Sequence, residues 1–145
     1  TNGPEDKALA TITDEGFQSG NNTGTISGSQ LTHSGNQSTK RGTGDWKNQY
    51  DYDNIELQFK ALNGTKNVMV TYLKPGQQAN FQISSKLEEG NFSAVLLSPD
   101  KKILSKFEAD SNKGTAIVAD IAGDYMIVVG GESAVGKFSI TRKIK

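Results

Sequence analysis

Alternation of apolar and polar residues begins at Asn54 and constrains this chain more than any other feature. In the run NIELQFKA, Ile55, Leu57 and Phe59 fall on one side of an extended chain, and the polar residues between them fall on the other. The same period returns in ANFQIS, after connections that contain the turn-forming pairs Asn-Gly and Pro-Gly. A period of two residues indicates half-buried β-strands.

The remaining segments extend this pattern along the chain. NVMVTYL is expected to place Val68, Val70 and Tyr72 on one face, while Val95 and Leu97 in NFSAVLLS predict a strand covered on both sides. Turn signals separate the segments, and no apolar stripe of helical period competes with them. We therefore expect an all-β fold, an antiparallel, jelly-roll-like β-sandwich of about eight to ten strands.

The inward faces of these strands define a predicted hydrophobic core. Its members are Ile55, Leu57, Phe59, Val68, Val70, Phe81, Ile83, Phe92, Leu96, Ile103, Phe107, Val118, Tyr125, Ile127, Val129, Phe138 and Ile140. Fully burying one such side chain contributes roughly 1.5–3 kcal/mol before the entropic cost is subtracted. A core of this size predicts a stable domain without a disulfide or a structural metal.

The N-terminal third differs sharply in composition. Between Ser19 and Gly44, 21 of 26 residues are Gly, Ser, Thr, Asn or Gln, too polar to form a core of their own. We expect residues 1–53 to be a polar segment: a long surface excursion, a tether, or one or two added strands that rely on the rest of the chain. ALATIT (Ala8–Thr13) and TGTISGS are the strand candidates. Residues 54–145 are expected to hold the sandwich core, giving one structural domain overall.

Charge and residue content exclude several classes of function. Sixteen basic and sixteen acidic residues cancel without a dense basic patch, so no nucleic acid partner is expected. The basic ending TRKIK is interpreted as a solvated strand end. There is no cysteine for thiol catalysis or a thiolate zinc site. No apolar run approaches the ~20 residues that span a membrane.

One longer stretch resembles a known family. YLKPGQQANFQISSKLEEGNFSAVLLSPDKKILSKF, followed by AGDYMIVVGGESAVGKFSI, resembles small secreted or lipid-anchored β-sandwich domains of bacterial cell-envelope proteins. It is more distantly similar to the bacterial pre-peptidase C-terminal domain. The resemblance covers about Tyr72–Arg142 and implies a fold but no active site. Gly123 and Tyr125 would open the penultimate strand, and Gly130, Gly131 and Gly136 would frame the last hairpin.

The resemblance also implies an extracellular location. The chain starts at Thr1 with the polar TNGPEDK, which fits a protein whose signal peptide or lipoprotein leader has been removed, and equally a chain trimmed for expression. We expect an exported protein at a bacterial cell envelope, lipid-anchored through its N-terminus.

The sequence contains few residues that could take part in catalysis. The single histidine, His33, is expected in an exposed loop, where nothing would hold it as a general base. Paired carboxylates occur at Asp51 and Asp53 and at Glu88 and Glu89, the latter in the predicted turn LEEGN, but too little chain remains to build a glycosidase cleft. We therefore predict that the protein is not an enzyme and has no catalytic residues.

Two ligand sites remain as hypotheses, both in the stretch DWKNQYDYD. Asp51 and Asp53 offer the hard oxygen ligands that calcium prefers, although the spacing is not that of an EF-hand loop, and both could instead face solvent. Trp46, Tyr50 and Tyr52 could present rings to a sugar, or could cover the open end of the sandwich. Calcium is the only cofactor that the sequence suggests.

These observations predict a non-enzymatic binding, adhesion or structural module of the cell envelope. Its partner would be a polysaccharide or another envelope protein. The alternatives are a carbohydrate-binding module that uses the exposed aromatic residues and a calcium-stabilised accessory domain of a secreted protein.

Overall fold

The computed structural model describes residue 17, the backbone of residues 25–27, residues 30–35 and residues 51–145. Within them all strand pairs are antiparallel, which confirms the predicted all-β fold. The strands in chain order are β1 (Thr25–Ser27), β2 (Gln30–Ser34), β3 (Asn54–Leu73), β4 (Gln78–Leu97), β5 (Ile103–Glu108), β6 (Asn112–Val118) and β7 (Gly123–Ile144). The strand candidate Ala8–Thr13 lies outside the described residues.

The three long strands bend in their middles, and the bends fold the sheet into a sandwich of two layers. One half of the sheet has the order β2-β3-β7-β4-β6 and is called here the five-stranded layer. The other half has the order β3-β7-β4-β5 and is called the four-stranded layer. Strand β7 therefore lies between β3 and β4 in both layers.

Short connections at one end of the sandwich join the layers. Residues 74–77 lead from the end of β3 in the four-stranded layer to the start of β4 in the five-stranded layer. Residues 119–122 lead back from β6 to β7. The two connections are linked by hydrogen bonds from Gly76 N to Ala119 O (2.8 Å) and from Ala119 N to Gln77 O (2.9 Å). This end of the sandwich is closed by backbone hydrogen bonds.

Three predicted turns lie inside strands, so residues 54–145 form fewer strands than expected. The segments LNGTK, LEEGN and GGESAVG belong to β3, β4 and β7. Register shifts interrupt β3 between Phe59 and Gly64 and β4 between Leu87 and Asn91. A bulge bends a strand without ending it, and these bulges make the corner of the folded sheet. The glycines predicted to frame a hairpin lie at this corner.

At this corner β4 and β7 approach more closely than a side chain would allow. A Cβ atom on Gly136 would lie 2.2 Å from the carbonyl oxygen of Lys86. Gly90 has a φ of +81°, and its Cβ would lie 2.3 Å from the carbonyl oxygen of Ser133. Both positions therefore require glycine, the second for its backbone conformation as well.

Inward-facing residues of both layers form one hydrophobic core. It contains most of the predicted members, among them Ile55, Phe81, Phe107, Ile127 and Phe138. Phe92 lies at the bend, where its ring stacks on that of Phe59 (centroids 5.1 Å apart) and is tilted against that of Phe138 (5.5 Å). Val70 and Ile103, predicted for this core, lie instead in or against the second cluster described below. Val118 was predicted wrongly: it is 61% exposed, because β6 directs Thr115 and Ile117 inward.

A second, smaller cluster covers the outer face of the four-stranded layer. Val95 and Leu97 belong to it, together with the helical residue Phe17 and with Val70, Met126 and Val128. The prediction that this strand is covered on both sides is confirmed.

The expectation that Val68, Val70 and Tyr72 share one face is wrong. Val68 lies in the main core and Val70 in the second cluster. A register shift between Asn67 and Met69 exchanges the two faces at this point.

Tyr125 stabilises the start of β7, which begins at Gly123 as expected but is the last described strand and not the penultimate one. Its ring is buried, and its hydroxyl donates a 3.0 Å hydrogen bond to the carbonyl oxygen of Ile121, four residues earlier. We expect Tyr125→Phe to lower the free energy of unfolding by about 1 kcal/mol, because the carbonyl loses one partner while the ring stays in place. Urea denaturation measures this change, and an unaltered midpoint would show that the hydroxyl contributes nothing.

Candidate functional site

The outer face of the five-stranded layer is polar. Outward positions of its strands carry amide, hydroxyl and charged side chains in rows across the sheet, and this surface is called here the polar face. Its members are Asn54, Glu56, Gln58, Gln78, Asn80, Gln82, Ser84, Lys86, Lys137, Ser139, Thr141 and Lys143, with Gln30, Thr32 and Ser34 on the edge strand β2 and Asn112, Gly114, Ala116 and the exposed apolar Val118 on the edge strand β6. The sandwich thus has one outer face packed against Phe17 and one that presents hydrogen-bonding groups.

A depression of about 620 Å³ lies on one half of the polar face and is called here the amide depression. Gln78, Asn80 and Gln82 point into it from β4 because residues two apart in a strand share a face. Its floor at the sheet edge is low because Gly114 and Ala116 carry little or no side chain. A Cβ on Gly114 would lie 2.8 Å from the amide oxygen of Gln82.

Hydrogen bonds orient the amides in this depression. Gln82 Nε2 donates to Asn112 Oδ1 on the neighbouring strand. Gln78 Nε2 donates to Asn80 Oδ1 at 3.2 Å. A carboxamide has two donor hydrogens and a two-lone-pair acceptor, so each side chain keeps hydrogen-bonding capacity for a ligand.

A second depression of about 310 Å³ adjoins the first and is called here the lysine depression. It lies in the next rows of the sheet, where Glu56 is opposite Ser139 and Gln58 is opposite Lys137. Lys86 on β4 is directly opposite Lys137 on β7. The two depressions form one surface, since Gln82 and Ser84 are successive outward residues of β4.

A buried ionic cluster lies at the inner side of the same layer. The guanidinium of Arg142, with its side chain 0% exposed, donates to Asp51 Oδ1 at 2.6 Å and to Asp53 Oδ1 at 3.3 Å. It also donates to the carbonyl oxygen of Val70 (3.1 Å) and to Thr71 Oγ1 (2.7 Å), both in the four-stranded layer. Arg142 therefore connects β7, the other layer and the segment before β3.

This cluster corrects the interpretation of TRKIK as a solvated strand end, because Arg142 is on the inward side of β7 with Phe138 and Ile140. It also places Asp51, which is 1% exposed, away from solvent. A calcium ion bound by Asp51 and Asp53 would compete with the guanidinium for the same oxygens. Calcium there stays a prediction; within the described ranges, no three His, Cys, Asp or Glu side chains form a metal-binding group.

Of the three aromatic residues proposed to bind a sugar, only Tyr52 lies within the described residues. Tyr52 is half-buried and packs against the main core, and its ring stacks on His33 with centroids 4.0 Å apart. His33 is exposed as expected but lies in β2, not in a loop. Trp46 and Tyr50 lie outside the described residues, so a shared aromatic platform stays a prediction.

The other carboxylate pair, Glu88 and Glu89, is exposed within β4. No helix in the described part of the chain is long and apolar enough to cross a membrane.

Sequence reasoning identified the outward positions of β3 and β4 but not the surface that they form together. Asn80 and Gln82 were expected to face outward, and they do. Their neighbours across the sheet depend on strand order, which places β7 between β3 and β4. For Arg142 a signal was present, because it continues the alternation of Phe138 and Ile140.

Comparisons with known proteins give no family assignment. No protein-family model and no curated protein matches this chain. Among solved structures, it is similar to PliG of Aeromonas hydrophila, a periplasmic inhibitor of g-type lysozyme. The identity is 14% and the TM-score 0.43, over 62% of this chain and 84% of that one.

Two further structures are similar at comparable levels. The secreted serine protease VesC from Vibrio cholerae has 9% identity and a TM-score of 0.46 over 83% of this chain, which spans only 24% of that one. A carbohydrate-binding module of Cellvibrio mixtus lichenase 5A, solved with cellotriose, has 9% identity and a TM-score of 0.41 over 82% of this chain and 88% of that one. At these scores the likeness carries no argument about ligand or activity, and the similarity to the pre-peptidase C-terminal domain stays a prediction.

Proposed function

We propose that this protein is a non-enzymatic binding module that holds a polysaccharide on its polar face. The observation that carries the proposal is the pair of adjoining depressions on that face, lined by amide and hydroxyl side chains. The location proposed for this activity is a bacterial cell envelope or the extracellular space, as the resemblance of Tyr72–Arg142 implies.

The chemistry of the polar face suits a sugar polymer. Sugar hydroxyls both donate and accept hydrogen bonds, and Gln78, Asn80 and Gln82 offer both kinds of group. Pockets for small molecules bury most of their ligand, whereas both depressions here are open on a sheet surface. An extended chain that crosses several strands makes better use of such a surface than a small compact ligand.

The aromatic residues offer a second location for the same activity. Trp46, Tyr50 and Tyr52 remain the candidates, and quenching of Trp46 fluorescence by a bound sugar would identify them. Tyr52 already packs against the core and stacks on His33, which favours the polar face as the primary surface.

We expect the full chain to be retarded in affinity electrophoresis through gels that contain soluble plant or cell-wall polysaccharides. The double variant Asn80→Ala/Gln82→Ala should bind the retarding polymer about tenfold more weakly, because two amide hydrogen bonds to the ligand are removed. Dissociation constants from calorimetry with the same polymer check the magnitude.

Glu108→Ala serves as the control, since Glu108 is an exposed residue of β5 outside the polar face. Its binding should equal that of the unmodified protein. The proposal fails if no polymer in the panel retards the protein. It also fails if Asn80→Ala/Gln82→Ala binds as tightly as Glu108→Ala and the parent.

A further inference from the structure

Two lysines face each other in the lysine depression. Lys86 and Lys137 are register partners on β4 and β7, so their Cβ atoms lie about 4.5–5.5 Å apart on one face of the sheet. Like charges directly opposite each other destabilise a sheet, and an unrelated pair of polar residues would avoid this cost. The pair therefore calls for an explanation beyond folding.

No ion pair within the described residues neutralises either ammonium group. Arg142 pairs with Asp51 and Asp53, and Lys102 pairs with Asp100. Other described residues make further polar or ionic contacts, but neither Lys86 nor Lys137 is among them. Glu56 lines the same depression but is opposite Ser139, one row away from the lysines. The polar face as a whole carries three lysines and one glutamate, so it attracts negative charge.

Two hydroxyl groups flank the lysine pair on one side. Ser84 and Ser139 are register partners in the adjacent row, and both line the depression. Ammonium groups bind an anion through charge-assisted hydrogen bonds, and hydroxyls can donate further hydrogen bonds to its oxygen atoms. This combination of donors fits a carboxylate, sulfate or phosphate group.

We propose that Lys86 and Lys137 bind an anionic substituent of the polysaccharide, so that the preferred ligand is an acidic polymer. This inference rests on the proposed function and specifies its ligand class. The sugar backbone lies across the amide depression, and its charged substituent reaches the lysine depression in the adjoining rows.

The test uses three polymers with a common backbone: dextran, carboxymethyl dextran and dextran sulfate. We expect tighter binding of the two charged polymers than of dextran, with the preference falling as salt screens the charges. Comparison of the carboxymethylated and sulfated polymers distinguishes a carboxylate from a sulfate as the recognised group. A phosphate-bearing cell-wall polymer tests the third candidate group, phosphate, in the same way.

The decisive variant is Lys86→Gln/Lys137→Gln, which keeps polar side chains and removes the charges. It should bind the charged polymers about five- to tenfold more weakly, and this loss should exceed any loss of binding to neutral polysaccharides, so the preference for charged over neutral polymer falls. Lys74→Gln/Lys102→Gln is the matched control, since it makes the same change in net charge at exposed residues outside the polar face.

The outcomes separate this inference from the proposed function. Equal losses in both double variants would mean that only overall charge matters, and equal binding of neutral and charged polymers would also overturn the inference. Either result leaves polysaccharide binding itself in place. Absence of binding to every neutral and charged polymer would overturn both proposals.

Discussion

Arg142→Met is expected to destabilise the protein by about 3–5 kcal/mol, the usual cost of removing one partner from a buried ion pair. The carboxylate of Asp51 is 1% exposed and would lose the guanidinium 2.6 Å away. The loss extends to the four-stranded layer, because Val70 O and Thr71 Oγ1 also accept hydrogen bonds from Arg142. Urea unfolding followed by far-ultraviolet circular dichroism measures the change.

Two further variants distinguish loss of the buried ion pair from loss of a positive charge alone. Lys143→Met makes the same change of charge at the next residue, which is exposed, and should alter stability by no more than about 0.5 kcal/mol. Asp51→Asn/Arg142→Met should recover part of the lost stability, since no unpaired carboxylate remains buried at Asp51. If Arg142→Met and Lys143→Met unfold at the same denaturant concentration, the ionic cluster does not stabilise the sandwich.

Gly90→Ala should be the second strongly destabilising change, at about 3 kcal/mol, because the added methyl group would meet the backbone of β7. The nearest atom, the carbonyl oxygen of Ser133, lies 2.3 Å from the position of the new Cβ. Backbone atoms cannot rotate out of the way as a side chain can, so β4 and β7 must separate at the corner. Thermal and urea denaturation of the variant report the loss.

Gly76→Ala is a closely matched control for this change. Gly76 has a φ of +85°, almost the same as the +81° of Gly90, but no atom lies within 4 Å of its added Cβ. Its replacement should cost about 1–2 kcal/mol, the penalty of a left-handed conformation alone. The difference between the two variants measures the contact between the strands, and equal losses would show that this contact is not close in solution.

The fold class was accessible from the sequence because alternation is a local property. Residues such as Ile55, Leu57 and Phe138 reveal their buried face through their neighbours in the chain, and the structure places them in the core. Val118 was misjudged because an edge strand has a weaker pattern, and its outward side chain looks like part of an apolar run.

The bends could not be predicted by the same means. An Asn-Gly pair such as that in LNGTK suits a hairpin turn, and it suits a bulge equally well. Which of the two forms depends on whether the same neighbouring strand continues beyond it, and β7 does continue alongside β3. Strand order also decides which outward residues share the polar face, so the site was beyond local patterns.

The position of β7 has a consequence for how this chain acquires its structure. β3 and β4 are joined by only four residues, yet β7 lies between them throughout, and each remains without its main partner until Gly123–Ile144 has been synthesised. Until then the nascent protein exposes two long, aggregation-prone strand edges. Closure of the sandwich therefore waits for β7, and a chaperone that shields those edges would protect the chain until this strand arrives.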